Sequence, residues 1–283
     1  MDTWYELSGF SDEIDASVEK QFEHLNKLGI RYFEPRGING KNIATLTAAE
    51  AHALKETMDR YGIAVSSIGS PIGKIGIEDD FEAHLEKLKS LIGTAKILGA
   101  SRIRVFSFFI PDGRYAEFRD EVLRRMKAMA ALAEKEGMLL LHENEKGIYG
   151  DNAARCLDIL TEVNSPALKA VFDPSNFVQC GQITYPDAFE LLKPHIAYMH
   201  IKDCLPGGTV VPSGHGGGHV EEILRELKAD GWTGFLSLEP HLGSFDGLDQ
   251  LSPEDSRMLS SAKSSAEKFT LAYDALMAIL ERI

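Results

Sequence analysis

The segment LLLHENEKGIYGD, residues 139–151, joins a run of apolar residues directly to several charged ones. Side chains alternate between the two faces of an extended strand, so Leu139, Leu141 and Glu143 share one face. We interpret the apolar run as a buried β-strand and its charged end as part of a functional site. The rest of the chain shows whether other strands end in the same way.

Short apolar runs of this kind recur along the chain and alternate with longer amphipathic segments. In those segments apolar residues are spaced three or four apart, which is typical of helices. The clearest helices are predicted over 17–29 and 115–137, and both end in glycine, which favours a helix C-terminus. Eight strands are predicted, at residues 5–10, 30–35, 63–69, 101–107, 138–144, 168–173, 196–201 and 234–239.

This alternation predicts an α/β fold in which residues 1–283 form a single (β/α)8 TIM barrel. Parallel strands need crossover connections, and eight such units follow one another without a linker. An open doubly wound sheet is the alternative, but SGFSDE after the first strand is not the glycine-rich phosphate fingerprint of such folds. We expect a C-terminal helix at about 260–282 to cover the barrel, after a polar, mobile loop near 243–258.

The composition indicates which kinds of molecule the protein can bind and where it works. The chain has 283 residues, a formal net charge of −13 and a sequence pI near 5.2, so no nucleic-acid partner is expected. Three cysteines form no Cys-x-x-Cys pair, and their odd number argues against a disulfide framework. Acidic groups near the first residue and the short apolar runs predict neither a signal peptide nor a membrane segment. We expect a cytoplasmic protein that acts on a small molecule.

Residue types that bind metals end four consecutive predicted strands: Glu143, Asp173, His200 and Glu239. The C-terminal ends of barrel strands share one rim, so we predict that these side chains meet. Three carboxylates without a cation would repel one another and force at least one to take up a proton. Because oxygen ligands dominate, the set predicts one divalent metal ion, Mn²⁺ or Mg²⁺ first, with Co²⁺ or Zn²⁺ as alternatives.

The sequence resembles the xylose isomerase-like barrels, a family that includes sugar isomerases, ketose 3-epimerases, inosose dehydratase and endonuclease IV. The resemblance covers most of the chain and is strongest from 138 to 241. It is carried by LLLHENE, AVFDPSNF, YMHIKD and GFLSLEPH, which are similar to the strand-end motifs of the family. It implies that the four residues above bind the metal, that Glu143 and Glu239 also exchange protons with the substrate, and that the protein is a dimer or tetramer.

Two positions depart from the family pattern. Asn176 replaces a histidine of the second motif and is predicted to bind substrate through a changed contact. In PSGHGGGHV, residues 212–220, His215 stands where the family has an acidic residue. Both departures concern the substrate and leave the metal set intact.

Other strand-end residues are predicted to support the site. Lys202 shares a strand face with His200, and Glu34 and Arg36 end the second strand, so all three are predicted to bind substrate. Asp203 is predicted to accept a hydrogen bond from His200 and to orient it. No group of lysines and arginines occurs at one strand end, which favours an unphosphorylated sugar.

These residues support several functions that share one half-reaction. A keto-sugar or related polyol would bind the metal through its carbonyl, and one glutamate would remove the α proton to give an enediolate. Returning a proton makes an isomerase or epimerase of carbohydrate metabolism, which is the first expectation. Expelling a β substituent from a keto-sugar, inosose or 3-keto-glycoside makes a lyase or dehydratase. A non-catalytic sugar-binding protein would have lost ligands, and an endonuclease would need more histidines and a basic groove.

Overall fold

Parallel strands form the barrel that the alternating pattern predicts. A computed structural model of the chain describes residues 3–242 and 264–283. The barrel strands are β1 (Tyr5–Gly9), β2 (Tyr32–Phe33), β3 (Ala64–Val65), β4 (Arg102–Val105), β5 (Leu139–Glu143), β6 (Leu168–Phe172), β7 (Ile196–Ile201) and β8 (Gly234–Leu238). Each lies within one of the predicted runs, and β2 and β3 are the shortest.

Hydrogen bonds close these strands into a ring. Six of them pair as one parallel sheet in the order β1, β8, β7, β6, β5, β4. Beyond β4, the Ile68 N–H donates to the Arg102 carbonyl and the Arg104 N–H donates to the Ile68 carbonyl, both at 2.9 Å. β3 pairs with β2, and the Glu34 N–H then donates to the Gly9 carbonyl of β1 at 2.9 Å. The predicted TIM barrel is confirmed, and the open sheet is not formed.

Helices cover the outside of the barrel. Those in the described residues are α1 (Val18–Lys27), α2 (Ala48–Tyr61), α3 (Phe81–Leu98), α4 (Tyr115–Glu136), α5 (Ala153–Val163), α6 (Pro174–Gln179), α7 (Phe189–Leu192), α8 (Val220–Ala229) and α9 (Ser265–Arg282). The predictions over 17–29 and 115–137 correspond to α1 and α4. Across the described ranges, none of these helices combines the length and apolar character needed to cross a bilayer.

The C-terminal helix begins at Ser265, a few residues later than predicted. Ser264 and Glu267 form a capping box, in which each side chain accepts the backbone N–H of the other residue. Phe269 lies against Gly9 at the end of β1, where a Cβ would come within 2.7 Å of the ring. α9 therefore packs against the barrel. The loop predicted near 243–258 lies outside the described residues.

The inward face of the strands changes from apolar to charged along the barrel axis. One layer is apolar and contains Leu141, Val171, Tyr198 and Phe235. Two residues further along the same strands, the same face carries the buried polar residues Glu143, Asp173, His200 and Ser237. This two-residue period follows from strand alternation. The apolar layer is therefore packed directly beneath the charged rim.

The rim loop at 69–76 provides a test of the fold. Gly73 has φ +94°, and a Cβ there would lie 2.0 Å from the carbonyl oxygen of Phe106. We expect Gly73→Ala to lower the free energy of unfolding by about 2–4 kcal/mol, because both strain and overlap must be relieved. Urea denaturation measures this change.

Gly93→Ala is the matched control for that measurement. Gly93 lies exposed within α3, and an added Cβ would meet nothing within 4 Å. An alanine there should raise the free energy of unfolding by up to about 1 kcal/mol, since it reduces the entropy of the unfolded chain. Equal effects of the two substitutions would contradict the packing described for the rim loop.

Candidate metal site and cleft

The four predicted metal ligands lie together at the C-terminal rim of the barrel. Glu143 ends β5, Asp173 directly follows β6, His200 lies in β7 and Glu239 directly follows β8. Their ligand atoms all lie within 4.8 Å of one another. The four residues are between 0% and 3% exposed. Four adjacent strands thus bring three carboxylates and one imidazole into one buried group.

One nitrogen of the imidazole faces all three carboxylates. His200 Nδ1 is 3.2 Å from Glu143 Oε1, 3.4 Å from Glu239 Oε2 and 3.9 Å from Asp173 Oδ2. Within the described residues, neither ring nitrogen of His200 makes a hydrogen bond of standard geometry. Buried polar atoms are rarely left without a partner, so this arrangement is typical of an ion site. Three oxygens and one nitrogen fit a divalent ion such as Mg²⁺ or Mn²⁺.

Neighbouring positive charges keep two of the carboxylates ionised. Burial alone would raise the pKa of Glu143, but the charges of His200 and Arg104 outweigh it and lower that pKa to about 2. Burial likewise opposes ionisation of Glu239, and Lys202 is the main charge that holds its pKa well below the usual range. Both glutamates are therefore carboxylates at neutral pH.

Asp173 is the third carboxylate, and its surroundings oppose its ionisation. Burial raises the pKa of Asp173 to about 7, and the charges of Glu143 and Glu239 add to the shift while Lys202 opposes it. Three carboxylates this close cannot all ionise easily without a further cation, as the sequence argument anticipated. The electrostatics of the site therefore favour binding of a divalent ion.

Basic side chains surround the ligand group. Lys202 Nζ lies 2.9 Å from Asp173 Oδ2 and 3.3 Å from Glu239 Oε2. Arg104 Nη1 lies 3.1 Å from Glu143 Oε2. Arg36 donates from Nη1 to Glu239 Oε1 at 3.1 Å. Lys202 and Arg36, both predicted to bind substrate, thus lie where they also contact the predicted ligands.

The loop after β1 fixes Arg36. Its Nε and Nη2 donate to the two oxygens of Asp12 at 2.8 and 3.1 Å, and Nη2 also donates to Glu13 Oε1 at 3.2 Å. Glu13 Oε2 accepts the backbone N–H of His241 at 2.7 Å. Because the bidentate contact with Asp12 holds the guanidinium plane, Arg36 presents its remaining edge to Glu239.

Asn176 contacts the carboxylate of Glu143 and is not among the residues that line the cleft. Its Nδ2 donates to Glu143 Oε1 at 3.1 Å and to the Asn144 carbonyl at 2.9 Å. Its backbone N–H donates to Asp173 Oδ1 at 2.9 Å, which makes Asp173 the N-cap of α6. Asn144 in turn joins β5 to β6, since its side chain accepts the Asp173 N–H and donates to the Asp173 carbonyl. The two amides therefore fix the positions of Glu143 and Asp173.

Asp203 and Glu34 have contacts that the sequence did not indicate. Asp203 accepts backbone N–H groups from Cys204, Gly214, Gly216 and Gly218 at 2.8–2.9 Å. The carboxylate near His200 Nε2 is that of Glu34, whose Oε2 lies at 3.3 Å. In the structure Asp203 thus anchors the loop at 204–218, on which His215 is exposed.

The ligand group opens into a cleft of about 780 Å³, open solvent included. Cationic side chains are frequent in its lining: Arg36, Lys41, Lys74, Arg104 and Lys202. Lys74 Nζ lies 3.0 Å from Glu145 Oε2 and 4.4 Å above the ring of Phe106. Since different strands contribute these cations, no single segment of the sequence reveals the group. The prediction that no single strand end carries a basic group agrees with this distribution, and the preference for an unphosphorylated sugar stays a prediction.

Sequence reasoning missed Arg104. Arg104 follows Ile103 and precedes Val105 in a strand, so alternation alone could have assigned it to the inward face. His241, two residues beyond Glu239, has Nε2 3.3 Å from Oε1 of that glutamate. Its position depends on a left-handed residue conformation with φ +50°, for which a histidine gives no clear signal.

The chain is similar to known proteins over most of its length. The family model described as xylose isomerase-like TIM barrel matches residues 22–262. A 3-dehydroshikimate dehydratase of Bacillus anthracis is 24% identical over 200 residues, which cover 70% of this chain and 68% of that protein. The match spans most of both chains.

Solved structures share the fold. The crystal structure of D-allulose 3-epimerase from Methylomonas sp. in complex with D-allulose has a TM-score of 0.74 at 18% identity, covering 99% of this chain and 97% of that one. A protein of Mycobacterium smegmatis in complex with magnesium has a TM-score of 0.67 at 16% identity, covering 97% and 98%. The probable 3-DHS dehydratase of Bacillus anthracis has a TM-score of 0.67 at 21% identity, covering 92% and 99%.

The contacts of Asp203 give a prediction for stability. Asp203→Ala removes the acceptor of four backbone N–H groups, and we expect the free energy of unfolding to fall by about 2–4 kcal/mol. Hydrogen exchange at Gly214, Gly216 and Gly218 should accelerate more than exchange in β5. Asp120→Ala is the control, because the Asp120 side chain is 98% exposed. A loss no larger than that of the control would contradict the anchoring role.

Proposed function

Because the chain belongs to the xylose isomerase-like TIM barrel family, we propose that it is a divalent-metal-dependent enzyme that removes a proton α to a substrate carbonyl. One observation carries the proposal. Glu143 and Glu239 face the same nitrogen of His200, at 3.2 and 3.4 Å, and both glutamates line the open cleft. Two ionised carboxylates thus stand where a substrate in the cleft can reach them.

Glu143, Asp173, His200 and Glu239 would hold the ion, with Mn²⁺ or Mg²⁺ favoured by the donor set. The bound ion would supply Lewis-acid polarisation of the substrate carbonyl and a fixed orientation for the substrate. Arg104 and Lys202 are within 3.3 Å of these carboxylates, so their positive charges would lie near negative charge that develops on a substrate bound at this group. Their charges favour the transition state over the neutral ground state.

The glutamates would carry out the proton transfers. Both have pKa values below the usual range, so each begins as a base. One takes the α proton, and the other returns a proton after receiving one from its surroundings. Both glutamates line the open cleft, so solvent can supply that proton. Return to the opposite face of the same carbon is epimerisation, and return to the neighbouring carbon is isomerisation of a keto-sugar.

Dehydration is the second candidate, and the cations of the cleft favour it. Arg36, Lys74 and Arg104 carry positive charge into the cleft lining, where each also pairs with a carboxylate. A substrate that bears a carboxylate would be complementary to this charge. The relative from Bacillus anthracis is a 3-dehydroshikimate dehydratase, and 3-dehydroshikimate is such a carboxylate. In this case one glutamate takes the α proton, and the β hydroxyl accepts a proton from a glutamate as it departs as water.

Deuterium exchange tests the shared half-reaction. The Mn²⁺-loaded protein should introduce deuterium α to the carbonyl of one member of a panel of ketoses, inososes and 3-dehydroshikimate. Glu143→Gln and Glu239→Gln should each slow the exchange by about 10²–10⁴-fold, because each removes an acid-base group. Glu86→Gln, whose wild-type side chain is 71% exposed, is the control and should exchange normally.

The products of the same reactions separate the alternatives. An epimer or isomer supports the first candidate, and a dehydrated product supports the second. A folded, metal-loaded protein that exchanges deuterium into no member of the panel would favour a sugar-binding protein without catalysis.

Lys74 gives a separate prediction about substrate charge. If the substrate carries a carboxylate, Lys74→Met should raise its KM by about tenfold, the size expected for one partly exposed ionic hydrogen bond. The KM of a neutral ketose should stay within a factor of two. Lys89→Met is the matched control, because the Lys89 side chain is 63% exposed and pairs with Glu86 on α3. Equal KM changes for both kinds of substrate would contradict the charge argument.

The cytoplasmic location, the dimer or tetramer, the preference for manganese and the absence of a nucleic-acid partner stay predictions from the sequence. The proposed carbohydrate or polyol substrate depends on none of them.

A further inference from the structure

Glu34 lies directly behind the imidazole of the candidate metal site. It follows β2, is 1% exposed and is not among the residues that line the cleft. Its Oε2 is 3.3 Å from His200 Nε2, whereas the three predicted carboxylate ligands face Nδ1 of the same ring. A buried carboxylate outside the cleft lining thus faces the second nitrogen of the imidazole.

Hydroxyl groups hold Glu34 in this orientation. Oε2 accepts hydrogen bonds from Tyr198 Oη at 2.9 Å and from Ser237 Oγ at 2.8 Å. Tyr198 Oη is also 2.8 Å from Ser66 Oγ, which lies 2.6 Å from Ser8 Oγ. These residues belong to, or directly follow, different strands of the barrel. Glu34 could turn away from His200 only by breaking buried hydrogen bonds, which are costly to leave unmade.

The chemistry of imidazole gives this contact a role. A neutral imidazole has one N–H and one lone pair, and a metal needs the lone pair. If Nδ1 is the donor to the ion, the proton must be on Nε2 and needs an acceptor there. Glu34 Oε2 is in the right place, and at 3.3 Å it lies just beyond the usual N–H···O range of about 2.7–3.2 Å.

The other candidate acceptor is already engaged. Asp203 was predicted to orient His200, but its two oxygens accept four backbone N–H groups of its own loop. The ion-pair distances of His200 in the described residues include Glu34 at Nε2 and none from Asp203.

We propose that Glu34 is a positioning residue that keeps the proton of His200 on Nε2 and thereby presents Nδ1 to the divalent ion. The proposal rests on the proposed function, because it presumes that an ion binds at this group. It assigns Glu34 to the metal site in place of the substrate contact that the sequence predicted.

Calorimetric titration with Mn²⁺ tests this role without measuring activity. Glu34→Gln keeps the shape and one acceptor oxygen but removes the charge, so the proton is free to move to Nδ1. We expect the Kd for Mn²⁺ to rise by about 10–100-fold, as for other partners of metal-binding histidines. Ser237→Ala is the matched control, because it removes a donor to the same Oε2 and leaves the contact with His200; its Kd should stay within about threefold of wild type.

A second readout separates this role from a merely structural one. In the Mg²⁺-loaded protein, ¹⁵N NMR should show His200 protonated at Nε2 in wild type and Ser237→Ala, and a loss of this single form in Glu34→Gln. Thermal unfolding of the metal-free proteins checks that each variant folds. If Glu34→Gln does not fold, Glu34→Asp withdraws the carboxylate from the ring and should weaken Mn²⁺ binding similarly.

The outcomes distinguish a failure of the role assigned to Glu34 from a failure of the proposed function on which it rests. Suppose that wild-type protein binds Mn²⁺ and that a folded Glu34 variant has the same Kd and keeps the His200 proton on Nε2. This result would overturn the role of Glu34 and leave the proposed function standing. Folded wild-type protein that binds no Mn²⁺ would overturn the proposed function together with it. A raised Kd and an altered ¹⁵N spectrum in the Glu34 variant, but not in Ser237→Ala, is the result we expect.

Discussion

Repulsion among three buried carboxylates is the constraint to which the rest of the site responds. Glu143, Asp173 and Glu239 are brought together by the ends of adjacent strands, and burial removes the water that would otherwise screen their charges. Lys202 and Arg104 stabilise two of them as anions, which leaves the pKa of Asp173 raised to about 7. A divalent ion at this point would relieve the repulsion and use every ligand.

The barrel makes this concentration of charge possible because its interior is packed with buried side chains beneath the site. The apolar layer of Leu141, Val171, Tyr198 and Phe235 fills the interior one strand period below the ligands. Above it, amides and backbone groups determine the orientation of each carboxylate, as Asn176 does for Glu143. Side chains held in this way need little rearrangement when charge develops during a reaction, which is the main way in which enzymes lower such barriers.

The sequence predicts the barrel and the ligand group because both depend on local patterns. Strand alternation and the rim rule were enough to bring Glu143 and His200 together. The surroundings of the ligand group depend on contacts between distant segments. Glu34 follows a strand, as a residue that binds substrate would, but its carboxylate faces His200 Nε2 and is outside the cleft lining. The same holds for the cationic cleft, whose lysines and arginines come from separate strands and loops. No window of the sequence contains that information.

The most direct test of the account is the metal content of the purified protein after loading with Mn²⁺ and extensive dialysis. Elemental analysis should find about one ion per chain, because buried deprotonated ligands of this kind bind metal tightly. A folded variant carrying Glu143→Gln with His200→Ala should retain none. Wild-type protein that is folded and holds no ion after this treatment would contradict the central claim that these four residues form a metal site.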